Sequence, residues 1–71
     1  MLIRVDDPAL VADLCAHFRR AGFSAQSVGS RVLDVERPDA PTDEQACNEI
    51  EVHLQVWRAI NPGSDAELLP A

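Results

Sequence analysis

The stretch from Thr42 to Ile60 constrains this chain more than any other. It holds the only tryptophan and reads as one helix of about five turns at ~3.6 residues per turn. Thr42 and Gln45 form a T-x-x-Q capping box, in which side chains satisfy orphan backbone N–H groups at the helix start. Asn61-Pro62-Gly63 ends it, because proline cannot continue the hydrogen-bond ladder and disfavours helical geometry just before itself. Whatever else the chain forms must pack against this rod.

Seventy-one residues make one domain, read as residues 1–63 with a C-terminal tail at 64–71. A chain of this size buries only ~60% of the surface it exposes when unfolded, so a staple or a partner subunit is a common requirement. The 46% hydrophobic and 25% charged fractions are those of a globular protein and argue against disorder. A net charge of −6 argues against a nucleic-acid or anionic-membrane surface, both of which need a basic footprint. All six basic residues are arginine, which reads as a coding-composition bias. Met1 to Asp7 has no apolar signal-peptide core, and no apolar run approaches the ~18 residues of a membrane span. The expected setting is cytoplasmic, with Cys15 and Cys47 reduced.

Leu2-Ile3-Arg4-Val5 alternates as a short strand with Ile3 and Val5 on one face. Asp7 then reads as a helix N-cap and Pro8 as the first helical position. Leu10, Val11, Leu14, Cys15 and Phe18 fall on one stripe of the helix that follows. Gly22 ends it as a left-handed cap, and Phe23 folds back on Phe18 in a Schellman arrangement. Phe23–Val28 and Arg31–Glu36 are two further strands, joined by a two-residue turn at Gly29-Ser30. Ser64-Asp65-Ala66-Glu67 resembles a capping box with no helix behind it, and Leu68-Leu69-Pro70-Ala71 is an apolar tail.

The expected fold is therefore α+β, a two-layer sandwich of order β-α-β-β-α. Its three-stranded antiparallel sheet has order 1-3-2, with two helices on one face. The Leu14/Phe18/Gly22 helix ending and the strand Val32-Leu33-Asp34-Val35 resemble those of the ferredoxin-like ACT and PII-like small regulatory modules, over roughly half the chain. That resemblance implies a regulatory domain. ACT domains bind amino acids through a glycine-bearing loop between the first strand and first helix; here that loop is Asp6-Asp7-Pro8.

At ~100° per residue, Ala46, Cys47, Ile50, Leu54 and Trp57 form the core stripe of the long helix. Val52, Val56 and Ala59 lie nearly opposite, bordered by Ile60 and Glu49, where a monomer would carry polar residues. The first reading is a protein–protein contact, most simply a twofold helix–helix homodimer. The other is that Leu68-Leu69 folds over the stripe, or that isolated valines are simply exposed.

Chemistry-bearing motifs are scarce. Cys15 and Cys47 sit on inward stripes and read as two buried thiols. No C-x-x-C or H-x-x-x-H spacing supports a metal, no nucleophile motif supports catalysis, and no cofactor is expected. His17 lies four residues after Asp13, a spacing for a surface pair, and His53 borders the core stripe. Arg19, Arg20 and Arg37 converge in this topology on the start of the long helix, an arrangement for a small phosphate or carboxylate, although Asp39, Asp43 and Glu44 share the region. The sequence thus points to a small non-enzymatic interaction or regulatory module that self-associates. The alternative is a small-anion sensor.

Overall fold

Four strands, one more than expected, build the sheet of this α+β chain. In a computed structural model that describes residues 1–70, the elements run β1 (Leu2–Val5), α1 (Val11–Arg20), β2 (Ser24–Ser27), β3 (Val32–Glu36), α2 (Asp43–Ile60) and β4 (Ala66–Leu68). The sheet is antiparallel with order β2-β3-β1-β4. The expected 1-3-2 arrangement is present within it, with β3 between β1 and β2. The residues read as a C-terminal tail, either packed back or frayed, supply β4, which pairs Ile3 with Leu68 and Val5 with Ala66 on the free side of β1. Ala71, the last residue of the expected tail, lies outside the described residues. The element order is now β-α-β-β-α-β, two interlocked split strand–helix–strand units.

Local chemistry explains most of the boundaries. The Asp7 side chain accepts from the Ala9 N–H, but Pro8–Leu10 forms a single 3-10 turn before α1 begins at Val11. Gly22 has φ +93° and lets the Phe23 N–H reach back 2.9 Å to the Phe18 carbonyl. The Phe18 and Phe23 rings then meet edge-on with centroids 5.2 Å apart. The Thr42 side chain accepts from the Gln45 N–H at 3.1 Å and opens α2. At its far end the Asn61 N–H and side-chain amide both donate to the Trp57 carbonyl, and Gly63 turns the chain with φ +91°.

One turn differs from expectation. Val28 and Gly29 both donate from their N–H groups to the Val32 carbonyl, which makes a four-residue connection between Ser27 and Val32. Gly29 has no positive φ, so the two-residue turn with glycine first does not form.

Alternation sets the core. Ile3, Val5, Ala25, Leu33, Val35 and Ala66 point to one face of the sheet and are all buried. Val11, Leu14, Cys15 and Phe18 of α1 and Ile50, Leu54 and Trp57 of α2 join them in a single cluster. Each fully buried large side chain contributes about 1.5–3 kcal/mol. The opposite face of the sheet, with Leu2, Arg4, Gln26 and Glu67, is open to solvent. Cys47, expected in the core stripe beside Ala46, is only half-buried and stays outside the cluster, because its position on α2 turns it towards the sheet edge.

Three polar contacts tie the helices down. Trp57 donates its Nε1–H to Asp13 Oδ2 at 3.1 Å, joining α2 to α1 across the top of the core. An arginine reaches each edge strand: Arg19 Nε donates to the Ala25 carbonyl of β2 at 2.9 Å, and Arg58 Nε to the Ala66 carbonyl of β4 at 3.0 Å.

Candidate functional site

The long helix is two-sided. With Ala46, Ile50, Leu54 and Trp57 buried, helical geometry turns Gln45, Asn48, Glu49, Val52, Gln55, Val56, Ala59 and Ile60 outward. Val52 is 58% exposed, Val56 46% and Ile60 66%, and Ala59 is exposed between them. These are three of the five large hydrophobic residues exposed on the described chain, and they share one stripe. Leu68 and Leu69 do not cover it. Leu68 belongs to β4, and the Leu69 N–H donates to the Leu2 carbonyl at 2.8 Å on the other side of the helix layer.

That outer face carries one charged residue, Glu49. Its Oε2 lies 3.5 Å from Arg37 Nε with no hydrogen bond between them, a half-buried ion pair. On a chain with one charged residue in four, a helix face whose one charge is paired is unusual. At the N-terminal end of the stripe, Gln45, Asn48, Glu49, Val52 and His53 line a shallow hollow of about 330 Å³.

Beside this face lies a cluster that sequence spacing did not anticipate. His17 and His53 meet edge-on with ring centroids 5.5 Å apart, and His53 also packs against Phe18 and Phe23. Arg37 caps the cluster with its guanidinium carbon 5.1 Å from the centre of the Phe23 ring. His17 Nε2 is buried with no hydrogen-bond partner. Burial pushes the His17 imidazole below its ordinary pKa of 6.5, His53 and Arg20 act in the same direction, and Asp13 opposes them. The Asp13 carboxylate itself is engaged by Trp57, where spacing had suggested a partner for His17. Only the proximity of α1 and α2, invisible in either helix alone, brings the two histidines together.

No three His, Cys, Asp or Glu side chains converge as a metal-binding group among the described residues. Burial raises the Cys15 thiol pKa against the opposing pull of Arg19, which keeps it protonated and poorly nucleophilic. The three arginines expected to gather around an anion have different engagements. Arg19 binds the Ala25 carbonyl, Arg37 binds Glu49 and covers Phe23, and Arg20 is exposed. No helix among the described residues is long and apolar enough to cross a membrane.

No protein-family model, curated protein or solved structure matches this chain.

Proposed function

We propose that this chain is a small non-enzymatic interaction or regulatory module that self-associates through the outer face of α2. The face comprises Val52, Val56, Ala59 and Ile60, with Glu49 at its border. The observation that carries this reading is the exposure of Val52, Val56 and Ile60 along one stripe whose only charge is paired with Arg37. A copy with net charge −6 can approach another copy closely only where the meeting surfaces are nearly uncharged, and this face is such a surface. A twofold helix pair makes the same patch serve both partners. One helix face is smaller than the ~800 Å² per partner of a standard stable interface, so a weak, micromolar association is expected.

Sedimentation or light scattering across about ten to several hundred micromolar tests the reading, in the range where a weak interface populates. The wild-type chain should move from monomer to dimer, and Val56→Asp should remain monomeric with an unchanged circular dichroism spectrum. A wild-type chain that stays monomeric throughout sinks the proposal. The anion-sensing alternative has less support, because Arg19 and Arg37 already hold partners of their own.

A further inference from the structure

A second surface lies on a different side of α2. We propose that the groove between the start of α2 and β4 docks a peptide segment of another protein in which apolar side chains alternate with arginine or lysine. Met1, Leu2, Leu68, Leu69 and Pro70 line one side of a groove of about 660 Å³, with the Met1 ammonium already paired to Asp34 and Glu36. Its volume lies within the roughly 300–1,000 Å³ of ligand-binding clefts. The other wall is α2, which contributes Cys47 together with Asp43, Glu44 and Glu51. None of these three carboxylates has an ion-pair partner among the described residues.

Asp43 and Glu44 have an ordinary reason to be there, since acids in the first turn complement the helix dipole. Glu51 has no such reason. It sits eight residues into the helix, about 12 Å from its start, where the terminal dipole has faded. It is nevertheless half-buried against the groove. An apolar floor walled by three unpaired carboxylates fits a segment that places leucine-like side chains on the floor and cations at the wall. The same wall repels phosphate-bearing surfaces and a second copy of this acidic chain. The occupant does not enter by extending the sheet at Ala66, whose carbonyl is held by Arg58.

This inference is independent of the self-association surface, which lies on another side of the helix. Cys47 supplies the readout, being half-buried in the groove while Cys15 is in the core. The test follows modification of Cys47 by a thiol reagent in the full chain with a blocked heptapeptide of alternating arginine and leucine. At ten times its dissociation constant, the peptide should slow modification about tenfold. Matched leucine–glutamate and arginine–serine peptides should leave the rate unchanged. The triple variant Asp43→Asn, Glu44→Gln, Glu51→Gln should lose the protection, while a charge-matched control away from the groove, Asp7→Asn, Asp13→Asn, Asp39→Asn, in which the amide oxygens still accept, should keep it. The proposal is overturned if the arginine–leucine peptide gives no protection at about millimolar concentration. Equal protection by either matched peptide, or equal loss in both variants, also overturns it.

Discussion

Arg19 and Arg58 do the same work on opposite edges of the sheet. Each sits in the last turn of its helix, reaches past the helix layer, and donates its Nε–H to an edge-strand carbonyl, Ala25 at 2.9 Å and Ala66 at 3.0 Å. An exposed edge carbonyl is an invitation to another strand, and a guanidinium fork seated on it removes that invitation. The arginine-only composition, which reads in the sequence as coding bias, thus has a structural use at two of its six positions. Each edge strand thus has one outward carbonyl already taken by a side chain of its own fold.

Replacing either arginine should loosen the strand it holds. Hydrogen bonds from charged donors are worth about 1.5–3 kcal/mol, less at a partly exposed site, so Arg58→Ala or Arg19→Ala should cost about 1 kcal/mol. Arg58 also lies 3.3 Å from Asp65, but that exposed pair adds little. Urea denaturation measures the cost. Amide exchange at 66–68 for Arg58→Ala, and at 24–27 for Arg19→Ala, should accelerate ahead of the core.

The Trp57–Asp13 contact makes a separate prediction. Trp57 is only 1% exposed, so removing its acceptor leaves a buried indole N–H unsatisfied. Asp13→Ala should therefore cost about 1–2 kcal/mol, within the range for such groups. Asp13→Asn should cost less, because the amide oxygen still accepts. Equal stability of all three chains in chemical denaturation would show that the contact contributes nothing.

Acidification should weaken the fold through His17. Its folded pKa lies below 6.5, so between the folded value and 6.5 the unfolded chain binds more protons and stability rises with pH. The contribution is complete above about 6.5 and is lost as pH falls through the folded value. The groups facing the imidazole are His53, Arg20 and Asp13. His17→Leu should flatten the difference in melting temperature between pH 7.5 and pH 5, conditions that bracket the ordinary histidine value of about 6.5. A ring-proton titration of His17 at or above 6.5 would contradict the sign.

A chain ending at Gly63 tests β4 directly. It would lose the Asp6–Asp65 and Leu69–Leu2 backbone bonds, at 3.0 and 2.8 Å, and would uncover the core beside Ala66. Several hydrogen bonds at about 1 kcal/mol each, plus the apolar burial, approach the roughly 5 kcal/mol total expected of so small a domain. The shortened chain should show no cooperative thermal transition, whereas an unchanged transition would mean that β4 is dispensable.

What could be read in advance followed local chemistry. Thr42, Gly22, Phe23 and the buried residues of β1 and β3 announce themselves because caps, left-handed glycines and period-two alternation act within a few residues. β4 does not, for Ala66-Glu67-Leu68 is too short to show a period and poor in β-branched residues. Only pairing with a strand some sixty residues earlier makes it a strand. The histidine cluster was hidden for the same reason, since His17 and His53 meet through the packing of two helices. The outer stripe of α2 was legible because helical periodicity alone identifies it, and its exposure in the fold is the part that periodicity could not supply.

The place of β1 in the sheet has a consequence for synthesis. The strand made first sits between β3 and β4, and its second neighbour is made last. While the intervening residues emerge from the ribosome, one side of Leu2–Val5 has no strand to meet. Closure waits on a contact that spans nearly the whole chain, a late and non-local event of the kind that slows folding. Until then β1 keeps one edge of unpaired backbone groups open beside its pairing with β3.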